Sequence, residues 1–162
     1  TRGAKESDTP TLFVERQLAT LRSDLNVDLL GAPGQYDSNS LTSGVIEADT
    51  VVDSYLLHFD PSTGLGAVAA TISLQFENEI LGVIAATPNL VSSDFLAFAV
   101  PEFEGSGSAR GALASSGDRW RIAPDGKTIT LRLQARIGDY DQIRIITKSD
   151  LQRSGPSVPK PL

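Results

Sequence analysis

The chain has 162 residues, a formal net charge of −6, 40% hydrophobic residues, and neither cysteine nor methionine. That length is enough for one domain with a core that needs no staples, and the missing thiols exclude disulfides, cysteine nucleophiles and cysteine metal ligands. No apolar run approaches the roughly 18 residues of a membrane helix, so no membrane span is expected.

Residues 1–10, TRGAKESDTP, are polar and turn-rich and read as an N-terminal tail. Residues 11–150 read as a single β domain, and residues 151–162 as a Pro-rich C-terminal tail that forms neither a helix nor a strand interior. The absence of a starting methionine points to a processed product from which a secretion signal has been removed.

Residues 11–22 are ambiguous. Val14, Leu18, Leu21 and Leu25 share a helical face, yet Leu25, Val27 and Leu29 alternate with Asn26, Asp28 and Leu30. Extended structure is preferred across both parts, with a helix over Leu12 to Arg22 as the alternative. Gly31 to Gly44 reads as a loop from its turn residues.

From Val45 to Phe76 the chain alternates, turns and alternates again. Val51, Asp53, Tyr55, Leu57 and Phe59 share one face of a strand, and Val52, Ser54, Leu56 and His58 the other. After the turn at Asp60 to Gly64, Val68, Ala70, Ile72, Leu74 and Phe76 line a second strand, so a hairpin is expected. Ile80 to Ala86 is a short apolar strand. Thr87-Pro88 then suits a helix start, with threonine as cap and proline at the first helical position.

Phe95 to Val100 is apolar again, and Gly105 to Gly117 is a Gly/Ser-rich loop. Trp120 to Ile137 is the clearest hairpin, turning at Pro124-Asp125-Gly126. Its second strand sends Ile129, Leu131, Leu133, Ala135 and Ile137 to a core and Thr130, Arg132, Gln134 and Arg136 to water. Gln142 to Thr147 completes the set. The fold class is all-β, an antiparallel β-sandwich or jelly roll of about eight or nine short strands with little helix.

No residue set assembles a catalytic site, and no enzyme activity is expected. His58 is the one histidine, and a Ser-His-Asp arrangement would need both geometry and a third partner. The run at residues 105–108 has Gly107 where a G-x-S-x-G nucleophile would stand, and GSGSARG lacks the lysine and spacing of a phosphate loop. Carboxylates two apart recur at Glu47/Asp49, Glu77/Glu79, Glu102/Glu104 and Asp139/Asp141. The last three pairs are the candidates for a shared calcium ion, whose shell wants six to eight oxygens; no other cofactor is expected. Asp24, Asn26 and Asp28 imitate the start of an EF-hand, but Leu29 occupies the glycine position.

Arg119, Arg121, Arg132, Arg136 and Arg144 could populate the exposed face of the C-terminal strands and hold phosphate or sulfated glycan. A sequence pI of about 4.7 and the lack of interleaved exposed aromatics disfavour nucleic acid.

The segment TVVDSYLLHFDPSTG, with ISLQFENEILGVI, DGKTITLRL and DQIRIIT after it, resembles an uncharacterised family of secreted bacterial β proteins that carry an LHFDP strand motif. The likeness spans about residues 24–147. Members often carry a signal peptide and a C-terminal Pro-Glu-Pro sorting signal, whereas this chain ends at SGPSVPKPL with no apolar anchor. The resemblance implies secretion, to the extracellular space or cell surface, and a β fold; it carries no activity across.

Charge is distributed unevenly. Residues 1–108 hold 4 basic and 15 acidic side chains, and residues 109–162 hold 10 basic and 5 acidic. Together with the polar tails, this leads to an expected extracellular structural protein that self-assembles, as in a biofilm matrix, into a filament by tail or strand exchange. Leu12, Phe13, Val14, Leu18 and Leu21 are the expected donor contacts, and Arg132, Arg136 and Arg144 the expected basic contacts. The alternative is a carbohydrate-binding or adhesive surface module, with calcium as its candidate ion and extracellular polysaccharide as partner. Tyr36, Tyr140 and Trp120 are its aromatic candidates, Trp120 being the one expected in the core.

Overall fold

The computed structural model describes residues 7–61, 66–97, 110–112, 117–136, 140–151 and 154–162. In chain order, its first strands are β1 (Ser7–Val14), β2 (Ala19–Thr20), β3 (Leu25–Val27), β4 (Leu29–Leu30), β5 (Gly34–Asp37) and β6 (Gly44–Ile46). The long strands β7 (Val51–Asp60) and β8 (Ala67–Gln75) follow, then β9 (Ile80–Ile84), helix α1 (Thr87–Ser92) and a 3-10 turn over Asp94–Leu96. β10 (Arg119–Ile122), β11 (Thr128–Arg136), β12 (Asp141–Lys148) and β13 (Lys160–Pro161) complete the chain. The protein is all-β, a sandwich of antiparallel sheets.

The first sheet runs β1-β7-β12-β9-β4, with β2 also paired to β7; the second runs β13-β8-β11-β10-β5. Between them lies the main core, built from Tyr55, Leu57 and Phe59 of β7, Ile143 and Ile145 of β12, and Leu74, Trp120, Ile129, Leu131 and Leu133 of the second sheet. Packing two apolar sheet faces in this way is the dominant stabilising act of the fold.

The far side of the first sheet is not wet. Val52 and Leu56 of β7 and Ile146 of β12 join Leu21, Leu25, Val27, Ile46, Leu90 and Leu96 in a second apolar cluster. The antiparallel ribbon of β3 and β6, helix α1 and the 3-10 turn cover that side as a third layer. Alternating residues of β7 therefore enter different cores, and six consecutive residues from Val52 to Leu57 are buried.

This explains the first departure from expectation. β7 and β8 do not form a hairpin: β7 pairs with β1 and β12, whereas β8 pairs with β11 and β13. A strand apolar on both faces belongs inside a covered sheet, while β8 is half-exposed and fits the outer one. The hairpin of β10 and β11 stands as read, with Trp120 facing Leu131 and Gly126 at φ +66° in its turn.

Residues 11–22 are extended, not helical, where they form β1 and β2. β1 begins at Ser7, inside the segment read as a tail, and β5 lies inside the Gly31–Gly44 segment read as a loop. The cap of α1 is Ala86, not Thr87. Asp28 anchors the approach to the helix, its Oδ2 accepting the Ala85 and Ala86 backbone N–H groups at 2.8 and 2.7 Å and its Oδ1 the Asn89 side-chain amide at 2.6 Å. Thr87 Oγ1 instead accepts the backbone N–H groups of Arg110 and Gly111.

The Pro-rich end also docks on its own chain. Tyr55 donates to the Ser157 carbonyl at 3.1 Å, β13 pairs with the end of β8, and Leu162 N–H reaches the Ser73 carbonyl at 3.0 Å.

Candidate functional site

The second sheet has one face in the main core and one face outward. On β11 the inward set is Ile129, Leu131, Leu133 and Ala135, so Thr128, Thr130, Arg132, Gln134 and Arg136 project the other way. The register then fixes their neighbours. Arg119 lies directly opposite Arg132 and Arg121 opposite Thr130; across the other edge of β11, Thr71 faces Arg132 and Ala67 faces Arg136. Asp37 and Gln35 of β5 flank Arg119 and Arg121, and Lys160 of β13 stands beside Gln75.

Four arginines and a lysine thus share a face on which Asp37 is the one acidic residue in register among the described residues. Adjacent positions are about 5 Å apart across strands and about 7 Å apart along a strand. Ser73 and Thr130 share a 2.7 Å hydroxyl hydrogen bond at its centre. A shallow depression of about 500 Å³ runs over Arg119, Arg121, Arg132, Thr71, Thr130 and Gln35.

Asp37, directly opposite Arg119, offsets one of these positive charges. The Asn39 backbone N–H and the Ser40 hydroxyl hold its carboxyl below the ordinary carboxylate value, with Arg119 a lesser influence. It stays ionised, committed to its own turn. Arg132 donates to the Gly117 carbonyl at 3.2 Å, and none of the four arginines on this face has an ion-pair partner among the described residues. Like charges placed directly opposite one another oppose sheet formation, so the Arg119/Arg132 pair is unfavourable for folding alone.

No protein-family model, curated protein or solved structure matches this chain. Function must be argued from the chemistry of its surfaces.

Arg144 is not on that face. Burial of the far side of the first sheet places it at zero exposure, so it makes no basic contact at a surface. Its Nε and Nη2 donate to the two Glu15 carboxylate oxygens at 2.7 and 2.8 Å, Nη1 donates to the Leu90 carbonyl and Ser93 hydroxyl, and Nη2 also reaches Asp94. Desolvation works against its charge, but the hydrogen bonds and charges of Glu15 and then Asp94 outweigh it and hold the guanidinium above its ordinary value. Asp94 turns its other side to Arg110, whose Nε reaches Gln142, and the Gln142 amide meets His58 Nδ1 at 3.2 Å.

His58 therefore ends a buried polar chain rather than a catalytic triad. Ser54 donates its hydroxyl to Glu15 at 2.6 Å, and His58 Nε2 stands 3.9 Å from Asp60. Burial pushes the imidazole below its ordinary value, with Asp60 opposing. No nucleophile is activated in this arrangement.

Three of the calcium candidates, Glu77, Glu79 and Asp141, lie among the described residues. Glu77 and Glu79 are exposed between β8 and β9, where their backbone carbonyls accept Lys127 Nζ and Lys148 N–H. Asp141 is buried at the start of β12, and Glu102, Glu104 and Asp139 lie outside the described residues. No cluster of three or more carboxylates or histidines suited to a metal occurs among the described residues.

Of the expected donor contacts, Leu12, Phe13 and Val14 pair within the same chain, on Leu57, Leu56 and Tyr55 of β7. Leu21 is fully buried in the second cluster, so it offers no surface to a partner; Leu18 is exposed. Arg132 and Arg136 are exposed as expected. Trp120 belongs to the core, and Tyr36 packs beside it with its hydroxyl donating to the Ala32 carbonyl at 2.7 Å. Tyr140 stacks obliquely on His58, ring centres 5.6 Å apart. The sequence reading did not single out Phe95, which is exposed on the 3-10 turn; within the apolar run from Phe95 to Val100 nothing marks it as different from its neighbours.

Proposed function

We propose that this chain is a non-catalytic extracellular module that holds an anionic polysaccharide on the outer face of its second sheet. The observation that carries the reading is the Arg119/Arg132 pair: two like charges in direct register, without ion-pair partners among the described residues, flanked by Arg121, Arg136 and a row of hydroxyls and amides. A flat array of guanidinium groups recognises sulfate, phosphate or carboxylate groups of a polymer by forked hydrogen bonds. Hydroxyls and amides between them suit sugar hydroxyls. The extracellular setting rests on the resemblance of the LHFDP segment.

The test is retention on dextran sulfate and on a polyuronate, against neutral dextran, as salt is raised. Charge-driven binding weakens as the Debye length shrinks from about 10 Å at 0.1 M salt to about 3 Å at 1 M. Arg119→Ala with Arg132→Ala should abolish retention. Equal retention on neutral dextran, or none on either anionic polymer at low salt, would sink the proposal.

Self-assembly is a second reading, favoured by the uneven charge along the chain, an excess of 11 acidic side chains in residues 1–108 against an excess of 5 basic ones in residues 109–162. Docking of the C-terminal segment on its own chain weighs against tail exchange as the route. Sedimentation at rising protein concentration tests it, since a strictly monomeric chain has no such assembly.

A further inference from the structure

A cleft of about 760 Å³ lies between Arg16, Arg22, Ser23, Thr20 and Phe95, with Leu96 and Ala19 beneath. It sits on the third layer, on the opposite side of the first sheet from the main core, because Ala19 and Leu96 belong to the second apolar cluster. Its volume falls within the roughly 300–1,000 Å³ of small-ligand clefts.

The walls are held in place. Arg16 N–H donates to the Leu96 carbonyl at 2.9 Å and Arg16 Nε to the Ala97 carbonyl at 3.3 Å, which ties the strand wall to the 3-10 turn. Leu18, at the bend before β2, adopts φ +54°, a region that L side chains rarely enter. The fully buried Asp53 fixes that bend by accepting the Leu18 N–H at 2.8 Å, and Ser149 in turn donates to Asp53. Strained backbone of this kind clusters at ligand sites.

The chemistry of the cleft is specific. Neither Arg16 nor Arg22 has an ion-pair partner among the described residues, Thr20 and Ser23 present hydroxyls, and Phe95 is 51% exposed. Guanidinium groups fork onto carboxylates, and an exposed aromatic ring offers a flat apolar surface for the C–H face of a pyranose.

We propose that this cleft binds one uronic-acid unit, with its carboxylate on Arg16 and Arg22 and its ring against Phe95. The choice of ligand rests on the anionic-polysaccharide reading; the site is separate from the sheet face. A uronic-acid disaccharide added to the ¹⁵N-labelled full chain should shift the backbone amides of Arg16, Ala19 to Ser23, Phe95 and Leu96. Arg22→Gln should weaken binding roughly tenfold, about the worth of one charge-assisted contact, and Phe95→Ala should weaken it through loss of the apolar ring surface, neither altering the thermal midpoint. The methyl-esterified disaccharide should not bind.

Equal binding of the ester, unchanged affinity in both variants, or binding of a sulfated disaccharide in place of the uronate would overturn the assignment. Shifts confined to β10 and β11 would overturn the cleft while leaving the sheet-face reading in place. Shifts confined to the cleft would support it and count against the sheet face.

Discussion

Glu15 and Arg144, 129 residues apart, meet through two parallel hydrogen bonds of 2.7 and 2.8 Å at a point the solvent does not reach. The pair closes the seam between the end of β1, the middle of β12 and the third layer. Every N–H of the guanidinium side chain is directed at an acceptor, which is the condition under which a buried charge is tolerated.

Removing one partner should therefore cost far more than removing both. Glu15→Leu or Arg144→Met alone should lose about 3–5 kcal/mol, because each strands a buried charge, while the double variant should recover a large part of that loss. Urea unfolding of the four proteins measures the coupling; strictly additive losses would contradict this account.

Arg119→Thr should raise stability by about 0.2–1 kcal/mol by relieving the like-charge pair with Arg132. The same change should weaken retention on dextran sulfate. Opposite signs for the two effects mark a residue kept for binding, and a loss in both would make Arg119 a structural residue.

Gly31→Ala should destabilise by about 1–3 kcal/mol through forced displacement of the backbone. A Cβ at Gly31 would stand 1.8 Å from the Ile80 carbonyl oxygen, and Gly31 N–H is bonded to the Leu81 carbonyl at 3.0 Å, so neither segment can retreat without breaking the pairing of β4 on β9. Chemical denaturation checks this, since an unchanged midpoint would mean that the two segments part freely.

Stability should fall as pH drops below the ordinary imidazole value of 6.5, because burial depresses the His58 value in the folded protein while the unfolded chain takes up the proton readily. The loss accumulates between 6.5 and the lower folded value and then levels off. Asp37 and Asp125, also depressed, act in a separate window below 3.8. Thermal midpoints across pH 5–8 should slope for the parent and flatten for His58→Gln; parallel slopes would place the effect elsewhere.

The sandwich was legible because alternation is a local signal. In β11 every second residue from Ile129 to Ala135 is apolar and buried, and the Pro-Asp-Gly turn stands where the chain reverses. Pairing partners were less legible. β7 and β8 are adjacent in sequence and similar in pattern, and only the cover on both faces of β7, supplied by residues as distant as Leu25 and Leu90, separates them into different sheets.

Arg144 failed for the same reason. Arginine at an alternate position of a strand reads as solvent-facing, and the third layer that buries it leaves no mark within DQIRIIT except the consecutive Ile145 and Ile146, apolar toward both faces. The four arginines of the second sheet's outer face were all present in the sequence reading, but their registration, with Arg119 opposite Arg132, depends on how two strands meet. The cleft of Arg16, Arg22 and Phe95 joins segments more than 70 positions apart and had no sequence signal.

The two apolar clusters share the strand β7, whose alternate side chains belong to one and then the other. Neither core can melt while the other keeps that strand in place, so the molecule has no independently melting half. Its heat-absorption peak should be single, with calorimetric and van't Hoff enthalpies in agreement, and its slowest-exchanging amides should lie along β7 between Val52 and Leu57.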